Sequence, residues 1–246
     1  MRYRAILFDL DGTLLPQDLN EFLKAYFRLL SQYMAPMGYS PDKLLETILA
    51  GMQAMVNNDG RESNETVFWN TFISVYGEKT REDENAFETF YRDDFDKLQK
   101  TCGYNPIVPN LIRELRARGY LLVLATNPLF PEIATRKRAH WAGADLENFA
   151  LYTTYENSYA CKPHVEYYRQ IVEKLGVQPE ECLMVGNDVT EDMVAKTIGM
   201  DVFLITDCLI NRDGADISQY PNGSFEDLLR YVDFSEQNCS DCGQNC

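Results

Sequence analysis

The stretch Ala5-Ile6-Leu7-Phe8-Asp9-Leu10-Asp11-Gly12-Thr13 decides the architecture of this chain. Four apolar residues run directly into two carboxylates, a glycine and a hydroxyl. An unbroken apolar run of this kind reads as a strand buried on both faces, because a half-exposed strand would alternate. Asp9 then stands at the carboxyl end of that strand, where open α/β sheets place their ligand sites. Two acids two residues apart beside a core strand have no packing role, and hard oxygen donors there fit a metal and phosphate site. Taken alone, Asp9 and Asp11 could equally be turn acids that end a strand.

Downstream, residues 16–100 carry no strand pattern. Phe22, Ala25, Tyr26, Leu29, Leu30 and Tyr33 recur at helical spacing. Ser40-Pro41 reads as an N-cap followed by proline at the first helical position. Asn64 and Thr80 are placed to cap two further helices, the second with Asp83 at the capping-box position. A block of this length can form a small helical bundle. Strands and helices then alternate. Helices are expected over 109–118, 132–141, 164–175 and 191–198, and a last one begins at Ser224 and runs through Val232. Strands are expected over 121–125, near 151–153, and over 183–185 and 202–205. Alternation predicts a parallel sheet covered on both faces. The chain therefore divides into a discontinuous α/β core (1–15 and 101–234), an inserted α-helical block (16–100) and a flexible polar tail (235–246).

Composition narrows the function classes. The 246 residues carry a formal net charge of −15 and a pI near 4.5, opposite in sign to a general nucleic-acid binder. Anionic lipid surfaces are disfavoured for the same reason. An anionic substrate would need local cations to reverse the field. The longest apolar run at the N-terminus has four residues, too short for a signal-peptide core or a membrane span. Seven scattered cysteines argue against a disulfide framework, so a cytoplasmic protein is expected. Cys239, Cys242 and Cys246 cluster in the tail, but a closed zinc site needs a fourth ligand and none is evident.

Three predicted strands end in polar residues: Asp9 and Asp11, then Thr126, then Asp188, with Lys162 in a loop before a helix. A parallel sheet gathers strand ends along one edge, so these residues can converge into a set suited to phosphoryl transfer. In order and context they resemble the four motifs of the haloacid dehalogenase-like superfamily. The first is Asp9-Leu10-Asp11-Gly12-Thr13-Leu14, the second Thr126 with Asn127, and the third Lys162 with Pro163. The fourth is Gly186-Asn187-Asp188 with Asp192. The resemblance implies a Rossmann-like three-layer core with a mostly parallel sheet and an inserted α-helical bundle cap. It casts Asp9 as nucleophile and Asp11 as general acid, then base. Gly12, Thr126, Asn127 and Lys162 would hold the phosphoryl group. Mg²⁺ would rest on Asp9, Asp188 and the Asp11 backbone carbonyl, with Thr13 and Asp192 in support.

Several of these residues also have plain structural readings. Thr126-Asn127-Pro128 is an ordinary exit from a strand. An isolated lysine such as Lys162 is usually a surface residue. Asp192 suits the first turn of a helix. His140 and His164 have no metal-ligand company, and Arg136-Lys137-Arg138 reads as a solvated helix face. The resemblance favours a phosphatase acting on a small phosphorylated metabolite, as a monomer or small homo-oligomer. A phosphomutase shares every core motif. A phosphonate hydrolase would need a cap lysine such as Lys24, Lys43 or Lys79. A non-catalytic phosphate-binding or interaction protein on the same fold is the remaining alternative.

Overall fold

A computed structural model of the protein describes residues 2–242. Six parallel strands form one sheet in the order β3-β2-β1-β4-β5-β6. They are β1 (Ala5–Phe8), β2 (Leu121–Leu124), β3 (Leu151–Tyr152), β4 (Cys182–Gly186), β5 (Asp201–Ile205) and β6 (Asn222–Gly223). The two-residue β6 carries an Asn-Gly pair and has no apolar signature that a sequence reading could find. Successive side chains of a strand point to opposite faces. Ile6 and Phe8 thus enter one apolar layer while Ala5 and Leu7 enter the other. This double burial is the reason the run in β1 is continuous.

Chain order reverses between β1 and β4. From β1 the chain moves outward through β2 and β3, then returns to β4 and moves the other way. Such a switch point leaves a crevice beyond the strand ends, and it falls here between Asp9 and Asp188. Alternating with the strands are α5 (Val108–Ala117), α6 (Glu132–Trp141), α7 (Val165–Leu175) and α8 (Phe225–Cys242). The segment expected as a helix over 191–198 is a 3₁₀ turn, Met193–Ile198, ended by Gly199 in the left-handed region. The last helix continues past Val232 to Cys242, so residues 235–242 extend it; Cys246 lies outside the described residues. Cys102, Cys161, Cys182 and Cys208 are free thiols.

Between β1 and α5 lie α1 (Leu19–Met34), α2 (Pro41–Val56), α3 (Asn64–Tyr76) and α4 (Lys79–Thr89). A π turn (Phe90–Asp94) and a 3₁₀ segment (Phe95–Thr101) follow. Helix α1 starts where Asp18 accepts the amides of Asn20 and Glu21 at 2.9 and 3.1 Å, and it buries one stripe, Phe22, Tyr26, Leu30 and Met34. Two expected caps shift by a residue or more. Ser63, not Asn64, accepts the Thr66 amide at 3.2 Å. Thr80 lies inside α4, whose N-cap is Glu78. Asn64 is instead fully buried, and its side-chain amide points at Pro128 O, Ala160 O and Cys161 Sγ across the chain. The two crossings into this segment run side by side, with Gly103 N donating to Pro16 O at 2.6 Å.

Candidate active site

The loop after β1 is tightly wound. Leu15 N donates to Leu10 O and Gly12 N to Leu15 O, both at 2.8 Å. Gly12 has φ +83°, and a Cβ there would lie 2.3 Å from Asn187 Nδ2, so only glycine fits. The loop after β4 imposes a second such constraint. A Cβ on Gly186 would lie 2.1 Å from Asp192 Oδ2, and its absence lets that carboxylate tuck against the strand end and accept the Asp188 amide at 2.9 Å. Asp188 Oδ1 accepts the amides of Thr190 and Glu191 at 2.8 and 3.0 Å, which fixes the carboxylate in a turn.

These loops meet at a cleft of about 130 Å³. Asp9, Asp11, Thr126, Asn127, Asp188 and Asp192 line it from the strand edge, and Leu19, Leu23 and Met52 cover it from α1 and α2. Gly12, Thr13 and Lys162 stand behind its wall. Thr13 Oγ1 donates toward Asn187 Oδ1 at 2.9 Å and Asp9 Oδ2 at 3.3 Å. The Lys162 ammonium is sealed from solvent and donates to Asp9 Oδ1 at 2.8 Å and Asp192 Oδ1 at 2.7 Å. Thr126 is fixed through its carbonyl, which accepts from Thr153 Oγ1 at 2.7 Å and Tyr167 OH at 3.0 Å. Asn127 Nδ2 donates to Glu191 Oε2 at 3.1 Å.

One lysine faces two buried carboxylates, so the strand edge has an excess of negative charge. Burial, opposed by Lys162, pushes Asp9 up to about 8. Burial alone would lower Lys162, but Asp192 and Asp9 hold it well above its ordinary value. Burial likewise lifts Glu191, on the same cleft, to about 7. These directions show a pocket short of positive charge, which a bound cation would relieve.

Three further residues belong to the site that sequence reasoning did not place there. Arg138 on α6, expected on a solvated face, is 1 % exposed. Its guanidinium pairs with Asp11 Oδ2, lies 4.5 Å from the Phe130 ring centre, and donates to Ala134 O at 3.4 Å and Thr135 Oγ1 at 3.3 Å. Lys137, its neighbour, is mostly covered and pairs with Asp96; Arg136 alone matches the expectation, on the surface beside Glu132 and Glu147. Arg212, from the loop after β5, reaches Asp188 Oδ2 at 2.8 Å. Glu191 lines the cleft. Arg138 and Arg212 come from distant parts of the chain and only their bare charge marks them in the sequence, whereas Glu191 sits between Asp188 and Asp192. His140 lies at the surface against Asp145, 2.7 Å away, and His164 precedes α7 as its N-cap.

The donor set fits a hard divalent cation. Asp9 and Asp188 offer carboxylate oxygens, and Asp11 Oδ1 is buried with no hydrogen-bond partner. Among the described residues no three His, Cys, Asp or Glu side chains gather into a cage on their own. The expected set uses only two side chains plus a backbone carbonyl.

With this geometry in hand, comparison with known proteins places the chain. A family model for haloacid dehalogenase-like hydrolases matches residues 3–197, and the chain belongs to that family. Among curated relatives, it is 27% identical over 198 residues to Pyrophosphatase PpaX of Bacillus velezensis, covering 80% of this chain and 81% of that protein. It is 26% identical over 193 residues to Pyrophosphatase PpaX of Bacillus cereus, covering 76% of each. Among solved structures, a "predicted phosphoglycolate phosphatase" of Haemophilus somnus aligns with TM-score 0.56 at 21% identity, over 94% of this chain and 99% of that one. A phosphatase of Thermococcus onnurineus aligns with TM-score 0.56 at 21% identity, over 93% and 97%. The fold is thus that of these structures.

Proposed function

We propose that the protein is a phosphatase that hydrolyses a small phosphorylated metabolite with Mg²⁺, through an aspartyl-phosphate on Asp9. The observation that carries this reading is the convergence of Asp9, Asp11, Thr126 and Asp188 on one cleft at the switch point, with Lys162 sealed behind Asp9. The phosphatase names of the curated relatives support it. Asp9, Asp188 and the Asp11 carbonyl would hold Mg²⁺, which when bound supplies positive charge to the carboxylate nucleophile and the phosphoryl oxygens.

The chain's own residues divide the remaining work. Asp9 attacks phosphorus; a carboxylate is a modest nucleophile but a good leaving group, so the acyl phosphate it forms hydrolyses readily. Lys162 holds Asp9 by one oxygen and leaves the other toward Thr13 and the cleft. Asp11 gives a proton to the departing oxygen and then takes one from water. Arg138 orients Asp11 through Oδ2 and leaves Oδ1 without a partner for that proton. The Thr126 hydroxyl and the Asn127 amide bind the phosphoryl oxygens. Leu19, Leu23 and Met52 cover the cleft, so the helical block acts as a cap over 16–100 that keeps bulk water out.

The phosphonate-hydrolase alternative loses its lysine, since none of Lys24, Lys43 and Lys79 lines the cleft and all three are exposed. Phosphate release across a panel of phosphorylated metabolites, with Mg²⁺ and with chelator, tests the proposal. Release is expected only with metal, and Asp9→Asn should lower it by roughly 10⁴-fold or more. Equal rates with chelator, or an active Asp9→Asn protein, would overturn it.

A further inference from the structure

A larger cavity, about 450 Å³, adjoins the Asp9 cleft and shares Met52, Leu129 and Phe130 with it. Its volume lies within the range of small-molecule sites, roughly 300–1,000 Å³. It lies between the helical block and the chain around Phe130 and Tyr155. Tyr26, Phe68, Trp69 and Tyr155 supply aromatic walls. Phe68 and Trp69 meet edge to face at 5.4 Å, and Phe68 lies 6.3 Å from Tyr155.

The charged part of the lining is mostly negative. Glu65, Glu84, Glu88 and Glu156 all border the cavity, and none has a basic partner among the described residues. Arg136 is the one cationic lining residue among those described, and Glu132 (at 2.9 Å) and Glu147 already engage it. Burial raises Glu65, and Glu156 and Glu84 raise it further, so these carboxylates sense one another across the space. Glu156 Oε1 accepts the Glu132 amide at 2.8 Å, while Oε2 is buried with no partner. A buried oxygen of this kind is costly unless a ligand supplies the missing donor.

Aromatic faces beside unneutralised carboxylates bind organic cations and reject anions, because ring faces and carboxylates attract the same sign of charge. The two cavities share Met52, Leu129 and Phe130 as lining, so a leaving group that extends from a phosphoryl group at Asp9 past these residues would enter this space. We propose that the leaving group is an apolar, aromatic-sized alcohol carrying an ammonium, so that the substrate class is the phosphate monoester of such an amino alcohol. This inference rests on the phosphatase reading. Hydrolysis breaks the ester P–O bond; phosphate keeps the oxygen of water, the alcohol departs with one proton, and no further reactant is needed. The phosphate that leaves when pyrophosphate is split would instead face four unpaired carboxylates, so this chain should part company here with the activity its curated relatives are named for.

Three aryl esters that differ only in remote charge test the proposal: 4-(2-aminoethyl)phenyl phosphate, 4-ethylphenyl phosphate and 4-(carboxymethyl)phenyl phosphate. With Mg²⁺, kcat/KM should fall in that order, with the cationic ester ahead of the anionic one by about 100-fold, since like-charge juxtaposition costs several kcal/mol. Glu65→Gln with Glu156→Gln should shrink that ratio about tenfold. An equal or reversed order, or a ratio that survives both substitutions, overturns the proposal. A second measurement separates its failure from failure of the phosphatase reading. Trp69 lies in the cavity wall, so its fluorescence should report tyramine binding more tightly than 4-ethylphenol or 4-hydroxyphenylacetate. If no ester is hydrolysed but tyramine still binds most tightly, the phosphatase reading falls and the cation cavity stands. If the three alcohols bind alike, the cavity assignment falls.

Discussion

The strand edge and the neighbouring helical-block cavity both gather carboxylates, buried at the edge and half-buried or exposed around the cavity, and they settle the charge in opposite ways. At the edge, Asp9 and Asp192 share Lys162, Asp11 pairs with Arg138, and Asp188 pairs with Arg212. In the cavity, Glu65, Glu84, Glu88 and Glu156 have no such partner among the described residues. The edge is built of fixed ion pairs that hold a chemical geometry, and its remaining shortfall suits a small hard cation. The cavity is built of rings and unpaired acids, and its shortfall suits an organic cation. What each region lacks is as informative as what it contains.

The contrast breaks most visibly at Lys162. Lys162→Met should abolish phosphate release and leave Asp9 and Asp192 buried together without a cation. Removing one partner of a buried pair costs about 3–5 kcal/mol, which for a chain of this size lowers Tm by about 10 °C. Adding Asp192→Asn should recover part of the loss in a thermal melt. A Lys162→Met protein as stable as the parent would mean that the edge is not held by charge.

A smaller effect is expected at Arg138, which separates orientation from binding. Arg138→Met should lower kcat roughly 10- to 100-fold, the usual scale for a group that orients another, with KM changed less. Arg138→Lys should restore part of it. The surface control Arg136→Ala should alter stability by less than about 1 kcal/mol, as read from denaturant midpoints. Loss confined to KM would assign Arg138 to binding rather than to positioning Asp11.

The smallest effect belongs to an exposed acid. Asp227 accepts the Ser224 amide at 2.9 Å and pairs with Arg230; Arg230, with the Ser224 amide and hydroxyl, lowers its carboxyl to about 2 from an ordinary 3.8. A lowered carboxyl stabilises the fold above its unfolded value and stops doing so as pH falls through the folded one. Asp227→Asn should therefore weaken the protein modestly near pH 7, with the difference from the parent closing between about pH 4 and pH 2 in acid unfolding.

Much of this was legible in the chain before it folded. The run into Asp9 fixed a doubly buried strand, because a continuous apolar segment followed by acids has one comfortable place in an α/β sheet. The alternation after Gly103 pointed to a parallel sheet, Thr126 and Asp188 stood out because each follows a strand, and Lys162 because it lies in a loop before a helix. Local signals failed where two conformations of similar energy compete. The segment after Asp192 is 3₁₀ rather than α-helical, Ser63 rather than Asn64 caps α3, and β6 pairs two residues that look like a turn.

The sequence by itself determined the strand-end chemistry, since short-range order places Asp9, Asp11 and Asp188 wherever the strands end. Only the tertiary structure decided the fate of the other charges. A solvated-looking arginine on α6 became the buried partner of Asp11, and Glu65 and Glu156, ninety-one residues apart in the chain, came to face one cavity. Charge on a helix is visible in the sequence, but whether that charge meets water, a carboxylate or an empty space is set by packing between segments far apart in the chain.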